Sequence, residues 1–131
     1  MNFYKDLQKA KVTISEPCNN EINAEFCFNE DAAVFTGHFP GMPIVPGVMQ
    51  IEMTKFAVEL AMKKEYRFKS VKKTKFTEEI KPGDKITIKI TLTESGPDLN
   101  VKAILKTNDK PAGKNKLILI ELKKQSSSTT L

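Results

Sequence analysis

The segment GHFPGMPIVPGVMQIE, residues 37–52, combines groups that could move protons with a backbone of few conformations. It contains His38, the only histidine of the chain, and ends at Glu52. Three prolines and two glycines lie between them and restrict the segment, which can hold a side chain in place before a substrate binds. A helix beginning near Gly47 would add free N–H groups that stabilise negative charge. A base, an acid and such a helix end indicate proton abstraction next to a carbonyl.

Both ionisable residues also have ordinary structural interpretations. On a helix, Glu52 would lie within roughly 80° of three further charged residues, Lys55, Glu59 and Lys63. These side chains could form a solvent-exposed row of ion pairs at (i, i+3) and (i, i+4) spacing. His38 could be a hydrogen-bonded loop histidine. The restricted segment between the two residues favours the catalytic interpretation, and the structural one stays open at this point.

A single long helix is predicted to position Glu52. The sequence VMQIEMTKFAVELAM, from Val48 to Met62, has no glycine or proline and consists mostly of good helix formers. Pro46 and Gly47 precede it, where proline's missing N–H costs least. Apolar residues occupy most of its circumference, which predicts a helix enclosed by other structure.

Alternating apolar and polar residues predict strands around this helix. The predicted strands are EINAEFCF (21–28), KITIKITLTE (85–94), LNVKAIL (99–105) and KLILIEL (116–122). A weaker strand is predicted at YRFKSVKKTKF (66–76), where the alternation of apolar and polar residues slips between Phe68 and Val71, as it would at a bulge. KLILIEL is apolar on both faces, as a strand covered on both sides would be. Turn sequences lie at 81–85, 95–98 and 108–114. Two strands, the helix and about four more strands predict an α+β domain with a single antiparallel sheet wrapped around one buried helix.

The composition fits one globular domain spanning residues 1–131, with a polar tail from about residue 125 that is expected to be flexible. No stretch has the apolar length needed to cross a bilayer. The start, MNFYKDLQKAK, lacks the apolar core of a secretory signal, which predicts a cytoplasmic protein. Cys18 and Cys27 form no metal-binding pattern, so two reduced structural cysteines are expected.

The chain has 21 basic and 16 acidic residues, which gives a net charge of +5. Of the basic residues, only Arg67 is an arginine. Proteins that read DNA bases rely on the planar, two-pronged guanidinium group of arginine. The predominance of lysine over arginine therefore argues against sequence-specific nucleic-acid binding. Lysines suit the docking of an acidic protein, because steering requires charge rather than fork geometry. A solubilising lysine-rich surface is the simpler explanation of the composition alone.

The motif between His38 and Glu52 resembles the signature of the FabZ-type 3-hydroxyacyl-acyl carrier protein dehydratases, which runs approximately GHFPGxPxxPGVLxxE, with the same spacing of histidine and glutamate. The later block KKTKFTEEIKPGDKI (72–86) resembles that family's F…PGD segment. The resemblance covers roughly residues 20–125. It implies the hot-dog fold, in which an antiparallel sheet wraps one long central helix.

The resemblance further implies dehydration of 3-hydroxyacyl thioesters to trans-2-enoyl thioesters, in fatty acid synthesis or a related specialised lipid or polyene pathway. His38 would remove the α-proton, the backbone N–H of Gly47 would support the thioester oxygen, and Glu52 would help to expel the hydroxyl as water. No metal or other cofactor is implied. The implied substrate tunnel is lined by Phe39, Pro46, Val48 and Phe56. Phe56 stands where the family commonly has glutamine, which indicates a divergent member.

The implied partner is an acyl carrier protein bearing a 3-hydroxyacyl-phosphopantetheine, and the implied assembly is a homodimer or a multiple of dimers. Neither nucleic-acid binding nor membrane insertion is expected. The predicted carrier-docking residues are Lys63, Lys64, Arg67, Lys69, Lys72 and Lys73. Two alternatives remain. One is an acyl thioesterase on the same fold, which would not need the histidine, and the other is a non-catalytic acyl-binding or dimerising partner.

Overall fold

The computed structural model describes residues 11–28, 47–77, 80–81 and 83–122. Its elements are β1 (Lys11–Ile14), β2 (Glu21–Cys27), α1 (Gly47–Met62), β3 (Tyr66–Phe76), β4 (Ile86–Ser95), β5 (Asp98–Thr107) and β6 (Lys110–Glu121). These strands form a six-stranded antiparallel sheet in the order β1-β2-β4-β5-β6-β3. The predicted α+β architecture is confirmed, since two strands precede the helix and four follow it.

The core lies between α1 and the inner face of the sheet. Phe26, Ile88 and Leu119 come from three strands and are almost completely buried, as are Met53 and Ala57 of the helix. Along β2 and β4 buried and more exposed residues alternate, as the sequence predicts for a half-buried strand. Removal of these apolar side chains from water is the main favourable term that holds the helix against the sheet.

Strand β3 lies at one edge of the sheet and pairs irregularly with β6. The register shifts between Phe68 and Ser70 and again between Val71 and Thr74, which confirms the predicted break in phase as a bulge. Residues 71–77 are all exposed. Such an edge presents backbone groups that another chain could pair with.

The turn between β5 and β6 is shorter than the sequence predicts. Asn108 and Asp109 both have positive φ, 50° and 68°, and close a two-residue turn of the kind that joins antiparallel strands. The predicted turn over 108–114 was therefore wrong, because β6 already begins at Lys110. Pro111 fits within this strand since it pairs with Lys106 where the register of β5 shifts.

Strand β6 is also less enclosed than its apolar sequence predicts. Leu117 and Leu119 are buried against the helix, whereas Ile118 and Ile120 on the outer face are only half-buried. The expectation of a strand covered on both sides was wrong for the described part of this chain, where a single helix covers one face of the sheet.

Two further sequence expectations concern cysteines and membrane spans. Cys18 is exposed, Cys27 is half-buried, and both are free. In the part of the chain that the structure describes, no helix has both the length and the apolar character needed to cross a bilayer. The predicted flexible tail lies outside the described residues.

Candidate active site

The start of α1 provides the backbone groups of the candidate site. The helix begins at Gly47, so the first N–H groups of the helix have no acceptor within it and can bind a negatively charged oxygen. Val48 lies in this first turn and Glu52 in the second. His38, Phe39 and Pro46 lie outside the described residues, and their roles remain predictions.

The helix surface around Glu52 is partly occupied by ion pairs. Lys55 Nζ lies 3.2 Å from Glu59 Oε2, and the same Glu59 oxygen accepts a hydrogen bond from the Tyr66 backbone N–H at 2.9 Å. Lys55 Nζ also lies 5.7 Å from the centroid of the Phe68 ring. Lys55 and Glu59 therefore form the structural row that the sequence left open as an alternative.

Glu52 does not join this row. Its side chain is half-buried, and among the described residues no ion pair involves its carboxylate. The catalytic role of Glu52 stays a prediction.

Phe56 lies in the hydrophobic core one turn after Glu52. Its exposed fraction is 6%. Its ring packs against Phe26 with centroids 6.4 Å apart and planes tilted by 53°. Phe26 in turn stacks on Phe28 at 6.4 Å. A phenyl ring cannot hydrogen bond to the Glu52 carboxylate, as a glutamine at this position could, so any ordering of that carboxylate must come from other groups.

A buried polar cluster that the sequence analysis missed joins α1 to β6. It consists of Gln50, Thr54 and Asn115, which are at most 2% exposed. The Thr54 hydroxyl donates to the backbone carbonyl of Gln50 at 3.1 Å, and Asn115 Nδ2 donates to Thr54 Oγ1 at 3.2 Å. The sequence contained one signal for this cluster. Gln50 and Thr54 are polar residues four positions apart on a helix that is predicted to be enclosed.

This polar cluster, Gln50–Thr54–Asn115, is not fully satisfied. Gln50 Oε1 and Asn115 Oδ1 are buried without a hydrogen-bond partner among the described residues. A Cβ on Gly113 would lie 2.6 Å from Gln50 Oε1 and 2.8 Å from the backbone carbonyl oxygen of Lys75, so a larger residue would meet both the Gln50 side chain and the backbone of β3. Through the hydrogen bond from Asn115 to Thr54, the cluster links the second turn of α1, the turn that carries Glu52, to β6.

The predicted docking residues fall into two groups, one at the end of α1 and the start of β3, and one further along β3. Lys63 and Lys64 lie at the C-terminal end of α1, and Lys64 Nζ is 3.4 Å from Glu121 Oε1. Lys69 Nζ is 3.0 Å from Asp98 Oδ2, while neighbouring Arg67 is exposed. The second group, Lys72 and Lys73, lies further along the strand in its irregular part and is exposed. Their role in carrier docking stays a prediction.

Tyr66 lies at the junction of the helix end and β3 and is buried. Burial raises the pKa of its phenol above the ordinary value, and the negative charges of Glu121, Glu94 and Glu59 raise it further. The phenol therefore remains neutral across the physiological pH range.

Comparison with known proteins relates these features to a family. The family model described as ApeI-like, ApeI dehydratase, matches residues 14–114. A 3-hydroxyacyl-[acyl-carrier-protein] dehydratase FabZ of Oenococcus oeni is 35% identical over 98 residues, which are 70% of this chain. The chain spans 65% of the length of that relative.

Solved structures give the same picture of the fold. The dehydratase heterocomplex ApeI:P from Xenorhabdus doucetiae matches with a TM-score of 0.71 at 26% identity, covering 86% of this chain and 98% of that chain. A hypothetical thioesterase from Streptococcus pneumoniae TIGR4, solved with coenzyme A, matches with a TM-score of 0.65 over 85% of this chain and 88% of its own. Its 9% identity supports similarity of fold alone. The predicted wrapping of one helix by an antiparallel sheet is thus shared with these hot-dog proteins.

Proposed function

The chain belongs to the ApeI-like dehydratase family, as the motif of residues 37–52 indicated, and we propose that it removes water from 3-hydroxyacyl thioesters attached to an acyl carrier protein. The family match over residues 14–114, which includes both His38 and Glu52, is the observation on which this proposal depends. The proposed substrate class is that of the Oenococcus oeni relative, a 3-hydroxyacyl-[acyl-carrier-protein] dehydratase.

The proposed reaction requires one base, one acid and one site for negative charge. His38 removes the proton at C2, and the thioester oxygen that gains charge is bound by the N–H of Gly47. The C3–O bond then breaks, and the carboxyl of Glu52 supplies a proton to the departing hydroxyl, directly or through a water molecule. The products are a trans-2-enoyl thioester and water, and transfer of a proton from His38 back to Glu52 restores the enzyme.

The described residues support three parts of this mechanism. The helix begins at Gly47, Glu52 is half-buried outside the neighbouring ion pair, and the polar cluster Gln50–Thr54–Asn115 ties that part of the helix to the sheet. These features preorganise the helix start and the acid on a rigid element, which a transition state with developing charge requires.

We also propose that the active enzyme is a dimer. The bulged edge strand β3 exposes residues 71–77, and α1 keeps Glu52, Lys55 and Glu59 only half-buried, so a second chain could cover both surfaces. The Xenorhabdus doucetiae relative is a heterocomplex, which makes a related chain the alternative to a second copy. Native mass spectrometry of the purified protein shows whether it forms a homodimer on its own. A monomer that is fully active would contradict both assemblies.

Mass spectrometry of thioesters tests the proposed activity directly. The purified protein is incubated with 3-hydroxybutyryl-carrier and crotonyl-carrier thioesters, and loss or gain of one water is followed. Interconversion of the two is the expected result. Release of free acid would instead show an acyl thioesterase, and unchanged thioesters would favour a non-catalytic acyl-binding protein.

A further inference from the structure

One hydrogen bond between α1 and the sheet differs in kind from the contacts around it. Most of those contacts are apolar, and Met53 and Ala57 of the helix are completely buried in the core. Apolar packing has no preferred direction, so it constrains the rotation of a helix about its axis less than a hydrogen bond does. In the part of the chain that the structure describes, the bond from Asn115 Nδ2 to Thr54 Oγ1 is the only hydrogen bond between a side chain of α1 and a side chain of the sheet.

The two partners of this hydrogen bond connect a fixed point of the sheet to the backbone of the helix. Asn115 lies on β6 where that strand is paired on both sides, with Ala103 of β5 and with Thr74 of β3. The Thr54 hydroxyl donates in turn to the backbone carbonyl of Gln50, in the first turn of α1. Glu52 lies between Gln50 and Thr54 in the helical sequence, so the two bonds span the segment that carries the acid.

The polar cluster Gln50–Thr54–Asn115 is not the choice that stability alone would favour. Its three side chains are almost completely buried, and Gln50 Oε1 and Asn115 Oδ1 have no hydrogen-bond partner among the described residues. Buried oxygens without a partner lower the stability of a fold, whereas apolar side chains of the same shape avoid this cost. Local choices that reduce stability are typical of functional sites. The position of the cluster beside Glu52 therefore indicates a functional reason for its polarity.

We propose that Asn115 and Thr54 are positioning residues for the dehydration. Their hydrogen bond sets the rotation of the first two turns of α1, and through it the direction of the Gly47 N–H and of the Glu52 carboxyl group. Neither positioning residue touches the reacting atoms. A rotation of about 10–20° is enough to misplace groups that must meet a transition state. This inference rests on the proposed function for the roles of Gly47 and Glu52, whereas the bond to β6 is a property of the fold.

The double variant Thr54→Val/Asn115→Leu separates positioning from stability. Each replacement keeps the branching of the side chain, and neither partner of the lost hydrogen bond remains buried and unpaired. The urea midpoint is therefore expected to be at least that of the wild type. The kcat for dehydration is expected to fall by roughly 10- to 100-fold, with a much smaller change in KM, because the misplaced groups act mainly in the transition state.

Thr54→Ser is the matched control, since it keeps the hydroxyl and removes only a methyl group. It is expected to be less stable than the wild type and nearly as active. A purely structural role of the hydrogen bond predicts the reverse order, with activity following the urea midpoint, and that result would overturn the proposal. Thr54→Ala provides the same comparison if the double variant does not fold, because it differs from Thr54→Ser by the hydroxyl alone. Both are assayed at a temperature where they are fully folded, and equal kcat values would overturn the proposal.

Amide hydrogen exchange, followed by NMR, gives a readout that does not depend on catalysis. At a global stability equal to that of the wild type, the backbone amides of residues 51–54 are expected to exchange several-fold faster in the double variant, while those of β5 are unchanged. Unchanged exchange at residues 51–54 would show that the hydrogen bond does not hold this segment and would overturn the inference. If the wild type turns over no thioester, the proposed function fails, and the exchange data still decide whether the bond positions the helix start.

Discussion

Asn115 Nδ2 of β6 donates a hydrogen bond to Thr54 Oγ1 of α1 across 3.2 Å, inside the core. Both side chains are almost completely buried, so this contact is a specific link between the helix and the sheet and not a surface interaction. It lies half a turn of helix from Glu52 and, together with the apolar core, holds this part of α1 against the strands.

Thr54→Val is expected to destabilise the protein although it preserves the side-chain volume. The change leaves the Asn115 amide buried without an acceptor, which costs roughly 1–3 kcal/mol of unfolding free energy. Urea denaturation measures the loss. Thr91→Val, at an exposed position of β4, is the matched control and should change stability by less than about 0.5 kcal/mol. A stability of Thr54→Val equal to that of the control would show that the hydrogen bond contributes nothing.

Gly113→Ala should also lower stability. Its Cβ would lie 2.6 Å from Gln50 Oε1 and 2.8 Å from the Lys75 carbonyl oxygen, and the backbone atom cannot move aside cheaply. Overpacking of this kind costs roughly 1–3 kcal/mol. The double variant Gly113→Ala/Gln50→Ala removes one of the two clashes, so part of the loss should be recovered in a double-mutant cycle. Strict additivity of the two changes would contradict the contact.

Glu52→Gln and Glu59→Gln separate catalysis from structure on one helix surface. Glu52→Gln should lower dehydration by at least about 100-fold because the proton donor is lost. Glu59→Gln weakens the pair with Lys55 and should lower the unfolding free energy by roughly 0.3–1 kcal/mol without a comparable loss of activity. Steady-state rates and thermal unfolding are measured on both variants. Nearly full activity of Glu52→Gln would remove this residue from the site.

Stability should decline at alkaline pH because of Tyr66. Its pKa is raised above the ordinary value of 10.0 by burial and by Glu121, Glu94 and Glu59. The folded phenol therefore keeps its proton at a pH where the unfolded phenol has lost it. This contribution is fully present below the unfolded pKa and is lost as pH rises through the folded pKa.

Urea unfolding of the wild type and of Tyr66→Phe, measured from about pH 8 to pH 11, isolates this contribution. The lysines titrate in both proteins, so the difference between them reports the phenol. A smaller alkaline loss in Tyr66→Phe is expected, and parallel curves would show that burial does not perturb the phenol.

Lys102→Glu should stabilise the fold. It replaces a like-charge pair with Lys116 by an opposite-charge pair, which is worth roughly 0.2–1 kcal/mol. The control is Lys106→Glu on the same strand, which lies opposite Pro111 and gains no such pair. Thermal unfolding compares the two. A lower melting temperature for Lys102→Glu than for Lys106→Glu would contradict a destabilising effect of the opposed lysines Lys102 and Lys116.

The sequence by itself determined the helix, five of the six described strands and the chemical proposal, whereas β1 was not among the predicted strands. Alternation in residues 21–28 and 85–94 and the unbroken run from Val48 to Met62 are local signals of strand and helix, because side-chain periodicity follows directly from backbone geometry. The spacing of His38 and Glu52 within one motif indicated the family before any contact was known. Even the bulge of β3 was visible as a break in phase.

The register and the contacts between distant segments were decided only by tertiary structure. Thr54 and Asn115 are 61 positions apart, so no local pattern couples them. Lys102 lies opposite Lys116, and Lys75 lies opposite Lys114, because of a pairing register that cannot be read from the sequence. The prediction of a long turn over 108–114 was wrong for the same reason. Pro111 lies in β6 where the register shifts, and Gly113 lies in β6 where Gln50 and Lys75 approach closely, and neither contact is visible in the sequence. Periodicity specifies which face a residue occupies, whereas packing against another element specifies which residues it meets.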